Sequence, residues 1–196
     1  MASTWTYDPR LRELLVAFMK MAKEVKRPYA VGGALAMAAQ GYARQTTDLD
    51  AFLLRQDALA WFRAARAQGL SVSPVFEGHH YFAWMRKHGD PEVRIDLMFP
   101  SEEIYLSGVR EPKRAKIGDV ASVVLPIELV AAAKFTSDRD KDRLDFDAML
   151  RRGLFEPETA AFLLRAAGDR AEARALLRHA AAVEASLAQT PKKTKR

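Results

Sequence analysis

Residues 29–54 read YAVGGALAMAAQGYARQTTDLDAFLL, and this stretch decides the fold. Tyr29, Ala30 and Val31 form a short apolar run bounded by Pro28 and Gly32-Gly33, the pattern of a buried strand entering a tight turn. Ala34–Gln40 is alanine-rich and helical, and Gly41 stops it. Asp48–Leu54 returns to an extended pattern. Residues i and i+2 of a strand share a face, so Asp48 and Asp50 project together while Leu49 and Ala51 turn to the core. Two adjacent carboxylates repel, and a divalent cation with a preference for hard oxygen ligands, Mg²⁺ or Mn²⁺, relieves that repulsion. The paired glycines Gly32 and Gly33 admit close approach of the backbone to an anion such as phosphate.

Working outward, Asp8-Pro9 starts a helix, with a capping carboxylate and a proline at the first helical position. Leu11, Leu14, Leu15, Phe18, Ala22 and Val25 recur at helical spacing, and Lys26-Arg27-Pro28 ends the run. Downstream, 57–68 reads as a helix stopped by Gly69. Residues 71–76, 81–86 and 93–98 read as extended, the last two joined by Gly89-Asp90-Pro91 as a hairpin turn. Ile104–Leu106 falls in a short helix, and 113–125 forms a hairpin around Gly118-Asp119. After Pro126 the pattern is helical throughout: 126–137, 140–151, 157–167 and 170–189. These readings predict an α+β protein, with a small mixed-sheet core over 1–125, a helical C-terminal lobe over 126–189 and a basic disordered tail over 190–196. The short connection between core and lobe predicts that they pack together, with a ligand cleft between them.

A third carboxylate, Asp96, sits in Val93-Arg94-Ile95-Asp96-Leu97-Met98, where Ile95 and Leu97 face the core and Asp96 faces away. Three carboxylates on neighbouring strands make a metal site able to bridge triphosphate oxygens. The order of apolar-Gly-Gly, helix, Asp-x-Asp and later strand Asp resembles the polymerase-β-like nucleotidyltransferase superfamily, closest to the minimal AbiEii/MenT-type toxin nucleotidyltransferases. The resemblance covers roughly 29–150. It implies a nucleotidyltransferase core in which Asp48, Asp50 and Asp96 are catalytic and bind the metal, with NTP as substrate. It also implies nucleotide contacts from Gly32, Gly33, Arg44, Thr46, Thr47 and Lys134. Lys134 lies in Leu129–Leu150, LVAAAKFTSDRDKDRLDFDAML, together with Arg139, Asp142 and Asp145; Asp145 is implied as a residue that orients the lysine. The chain departs from many superfamily members in having Ala34 where they have a phosphate-binding serine.

The resemblance further implies transfer of NMP to an acceptor hydroxyl, on the 3′ end of a tRNA or on a protein, and a cognate antitoxin as a partner. Two alternatives share the core: a small-molecule nucleotidyltransferase of the aminoglycoside type, and a non-catalytic nucleotide-binding module. Retention of all three carboxylates speaks against the latter. The rest of the sequence narrows the field. No cysteine is present among the 196 residues, which excludes disulfide scaffolds and thiol nucleophiles. With 49% apolar and 29% charged residues the composition is that of a globular protein, not a disordered chain. No apolar run is long enough to span a bilayer, and the polar N-terminus lacks a signal-peptide core, which predicts a cytoplasmic protein without membrane contact. Lys192, Lys193, Lys195 and Arg196 reduce the net charge of +6 to +2 when set aside, so global charge says little about partners. Lys113, Arg114 and Lys116 lean towards RNA. His79-His80 reads as a surface loop or a cleft lining. Walker, Gly-x-Ser-x-Gly and Gly-x-Gly-x-x-Gly motifs are all missing, which excludes P-loop, α/β-hydrolase and Rossmann chemistry.

Overall fold

The computed structural model describes residues 7–76 and 81–189. The chain divides into two compact units, 1–126 and 127–196. The first contains α1 (Pro9–Val25), β1 (Tyr29–Val31), α2 (Gly33–Ala39), β2 (Asp48–Leu53), α3 (Ala58–Ala67), β3 (Leu70–Val72), β4 (Tyr81–Lys87), β5 (Arg94–Phe99), α4 (Glu103–Arg110), β6 (Lys113–Ile117) and β7 (Val120–Val124). The second contains α5 (Ile127–Thr136), α6 (Asp140–Arg151), α7 (Pro157–Ala166) and α8 (Arg170–Gln189). The architecture is the mixed α+β fold that the sequence predicts. His79, His80 and the basic tail lie outside the described residues.

Among the described residues the first unit holds one seven-stranded mixed sheet, in the order β3-β4-β5-β2-β1-β7-β6. The two central strands β2 and β5 run parallel, with Asp50 opposite Asp96 and Ala51 opposite Leu97. β1 pairs antiparallel to β2 and parallel to β7. Alternation along β2 buries Leu49, Ala51 and Leu53, and β5 adds Ile95, Leu97 and Phe99 to the same face. That face receives α1, whose stripe of Leu11, Leu14, Leu15 and Phe18 is wholly sequestered. Phe18 stacks on Trp61 of α3 at 5.1 Å between centroids, and Tyr29 meets both rings edge-on at 5.4 and 5.8 Å. Removing an aromatic side chain of this size from water contributes roughly 1.5–3 kcal/mol. The opposite face carries the carboxylates, and at one end Phe52 meets Tyr105 of α4 at 6.0 Å.

The strand expected over 71–76 is observed over Leu70–Val72. It leaves the ladder after Val72, where the Trp84 N–H turns to the Ser73 side chain and not to a backbone carbonyl. Ser73 bridges the departure: its N–H donates to the Trp84 carbonyl at 3.0 Å, and its hydroxyl accepts from the Trp84 N–H at 2.9 Å. A single bridge between Phe76 and Phe82 follows.

Candidate active site

The site grows from the turn between β1 and α2. Gly32 leaves β1 extended and its N–H donates to the Asp50 carbonyl at 2.8 Å, tying the turn to β2. Gly33 then takes φ +54, a left-handed conformation that a side chain resists. Space forbids a side chain there as well: a Cβ on Gly33 would lie 1.7 Å from Asp50 Oδ2, and one on Gly32 would lie 2.3 Å from Phe52 Cε2. The diglycine is therefore what allows the Asp50 carboxylate to sit directly against the backbone that opens α2.

Asp48, Asp50 and Asp96 occupy one face of the sheet. Asp50 and Asp96 are register partners on parallel strands, and Asp48 lies one alternation upstream on β2, opposite Arg94. Each has company. The Thr46 hydroxyl donates to Asp48 Oδ1. Arg94 Nη2 donates to Asp96 Oδ2 at 3.1 Å, and its Nε stands 2.7 Å from Oδ1 without hydrogen-bond geometry. Asp96 is only 7% exposed, so its buried Oδ1 is left with no hydrogen-bond donor. Burial raises the Asp96 pKa above the ordinary carboxylate value; Arg94 pulls it down and the neighbouring Asp48 charge pushes it up.

These donors suit a divalent cation in kind. All are hard carboxylate oxygens, two are held in register by the central strands, and one is a buried acceptor lacking a donor. As the side chains stand, no three acidic or histidine groups among the described residues surround a single cation position. The Thr46 hydroxyl engages Asp48 and the Arg94 guanidinium engages Asp96 in this arrangement.

The remaining expected contacts separate. Arg44 donates from Nη1 to the Gln45 carbonyl at 3.0 Å, in the loop before β2. Thr47 is exposed, and its carbonyl accepts from the Arg94 N–H at 3.4 Å where β2 and β5 begin to pair. Lys134 belongs to the second unit. There it is buried on α5, donates to Asp142 and lies 3.4 Å from Asp145. Asp142 also accepts from the Ser137 hydroxyl at 2.7 Å and from Arg139 Nε at 2.6 Å. Burial alone would raise the Asp142 pKa, but the hydrogen bonds from Lys134 and Ser137 and the charges of Lys134 and Arg139 outweigh it and hold it low.

Two side chains next to the carboxylates escape a reading by motif. Arg94 precedes Asp96 by two residues, so strand alternation alone puts it on the same face. Trp84 is the direct partner of Asp96 on β4, and only the hairpin register reveals it.

No family model matches the chain, nor does any curated protein sequence. Solved structures do match in shape. The antibiotic-resistance factor ANT(2″)-Ia, in solution, is similar over 85% of this chain and 96% of its own, with a TM-score of 0.58 at 15% identity. A nucleotidyltransferase-like antigenic protein from Paracoccidioides brasiliensis is similar over 88% of this chain and 94% of its own, with a TM-score of 0.52 at 12% identity. The lincosamide antibiotic adenylyltransferase LnuA, solved with lincomycin bound, is similar over 73% of this chain and 97% of its own, with a TM-score of 0.50 at 10% identity. The chain thus has the fold seen in these nucleotidyltransferases.

Proposed function

We propose that this protein is a divalent-cation-dependent nucleotidyltransferase that moves NMP from an NTP to an acceptor hydroxyl. The observation that carries the reading is the union of Asp50, Asp96 and Gly33: two carboxylates matched across the central strands, with a diglycine turn packed on one of them. The shared fold with ANT(2″)-Ia supports it.

Asp48, Asp50 and Asp96 are the residues that would hold Mg²⁺ or Mn²⁺. A bound cation supplies neutralisation of the charge on the triphosphate and on departing pyrophosphate. In this reading Gly32 and Gly33 contact phosphate through their backbone once a cation has drawn Asp50 towards it, and Arg44, Thr46 and Thr47 are assigned to the nucleotide. Asp96 accepts the proton of the acceptor hydroxyl as its oxygen bonds to the α-phosphorus. The bond from the α-phosphorus to the β-phosphate oxygen breaks, and pyrophosphate leaves. Positioning and fixed charge supply most of such catalysis. Lys134, enclosed by Asp142 and Asp145, enters the reading as a contact to triphosphate only if those partners release it.

The acceptor we favour is RNA, with the tRNA 3′ end the example set by the toxin-like relatives that the sequence resembles. In that setting the protein is a cytoplasmic toxin of an abortive-infection or toxin–antitoxin pair, restrained by a cognate antitoxin. A small-molecule acceptor is the second reading, favoured by the fold of ANT(2″)-Ia and LnuA. Incubation with α-labelled NTPs and Mg²⁺ in the presence of total RNA, aminoglycosides or lysate protein tests these readings. Label in RNA, lost in Asp50→Asn, is the expected result. Label on a drug selects the second reading. Undiminished transfer by Asp50→Asn refutes the assignment of the site.

A further inference from the structure

β4 carries a second feature beside the carboxylates. Phe82, Trp84 and Arg86 alternate onto the face that holds Asp96, with Phe82 opposite Met98 and Trp84 opposite Asp96. Cross-strand partners of this kind hold their Cβ atoms about 4.5–5.5 Å apart. The Arg86 guanidinium lies over the Trp84 ring, 4.5 Å from its centroid. Phe82 is backed by Phe76 at 6.0 Å, and Phe76 is half exposed. Trp84 and Arg86 are only partly buried, so both are open to solvent on one side. Among the described residues Arg86 pairs with no carboxylate and packs on the indole. The backbone under Trp84 is fixed by the two hydrogen bonds to Ser73.

The core of the fold does not need this arrangement. A partly exposed tryptophan on a sheet face, laminated with an arginine, presents apolar surface and charge together. We infer that Trp84 and Arg86 form the acceptor platform of the proposed transferase, on which the terminal base of a single-stranded RNA stacks while Arg86 meets its phosphate. The inference rests on the nucleotidyltransferase reading and specifies its acceptor. Three properties favour this occupant. An aromatic face with a stacked guanidinium is the chemistry that binds unpaired bases without regard to sequence. The position beside Asp96 brings the hydroxyl of a terminal nucleotide to the group proposed to take its proton. The Arg86 guanidinium on the indole adds a cation that suits the phosphate of a nucleic-acid acceptor.

The test is fluorescence anisotropy of a 5′-labelled single-stranded RNA dodecamer without NTP, alongside NTP affinity measured separately. Trp84→Ala is expected to weaken RNA binding about tenfold or more, the loss of one stacked base, with NTP affinity held within about twofold. Trp84→Phe keeps a stacking ring and is expected to recover most of the loss, which separates a platform from a misfolded variant. Arg86→Gln is expected to reduce the slope of log affinity against log salt by about 0.7, the value for one phosphate contact on a single strand. RNA affinity unchanged in Trp84→Ala, or a wild-type protein that binds no RNA, overturns the inference. Binding that depends on Trp84 but no label transfer to any acceptor supports the platform and refutes the enzymatic reading, so the two failures are distinguishable.

Discussion

At the residue scale the site turns on one missing methyl group. Gly33 combines a left-handed backbone with a separation from Asp50 that leaves no room for a Cβ. Gly33→Ala is therefore expected to displace Asp50 or unwind the start of α2. Strain at a position of positive φ costs about 1–3 kcal/mol, so a destabilisation of that order should appear in denaturant titration, accompanied by loss of nucleotide transfer far beyond what the stability change explains. Asp96 makes the complementary case. Its raised pKa means that the folded protein holds this proton more tightly than the unfolded chain does. Stability then falls as pH rises from the ordinary aspartate value through the raised native one, and the deficit persists at neutral pH. In metal-free protein Asp96→Asn is expected to melt higher than wild type at pH 7, with the advantage vanishing below the ordinary aspartate pKa, while transfer is lost. A lower melting temperature at pH 7 would show that Arg94 offsets the burial of the charge in full.

At the element scale the helical unit is organised around a buried charge cluster on α5 and α6. Lys134 enclosed by Asp142 and Asp145, with Arg139 and Ser137 completing Asp142, is a satisfied network. Lys134→Met would remove the cation that Asp142 and Asp145 share, leaving Arg139 as the charge on Asp142. Breaking such a pair costs about 3–5 kcal/mol, and the loss should register in the unfolding of this unit. Asp142 has a lowered pKa, so its contribution is present above the ordinary aspartate value and is lost as pH falls through the native one. Asp142→Asn should accordingly destabilise at pH 7, and the gap to wild type should narrow on acidification, as paired denaturant titrations will show. This cluster also marks the limit of reading elements from sequence. The run Asp138–Arg143 has the alternating signs of a solvated helix face, and only packing reveals that Asp142 is enclosed and that Lys134 reaches it. Strand alternation did place Asp48 and Asp50 together, and the glycine pair did mark the turn. The register that sets Asp50 opposite Asp96, and Trp84 beside it, depends on a crossover and a hairpin whose pairing no local pattern specifies. The early end of β3 coincides with the Ser73 hydroxyl taking the Trp84 N–H, a side-chain contact that an extended pattern does not specify.

At the scale of the whole molecule, the sheet of the first unit separates two tasks. One face is sealed by α1 and α3 and supplies the hydrophobic core; the other gathers Asp48, Asp50 and Asp96, groups whose like charges repel and to which the proposed function assigns the chemistry. A protein built this way should be stabilised by whatever neutralises the second face. Ligand bound only to the native state adds RT ln(1 + [L]/Kd), about 2.7 kcal/mol at a hundredfold excess over Kd. Mg²⁺ together with a non-hydrolysable NTP is therefore expected to raise the melting temperature of the wild-type protein, and to raise it more than either component alone, because each brings the charge that the other lacks. The double variant Asp48→Asn/Asp50→Asn should remain folded, since neither side chain supports the core, and should lose the joint shift while melting at or above the wild-type temperature without ligand. Differential scanning fluorimetry reads all of these conditions on one plate. An equal shift in the double variant would mean that the nucleotide and cation bind elsewhere, and the carboxylate face would then have no claim on the chemistry.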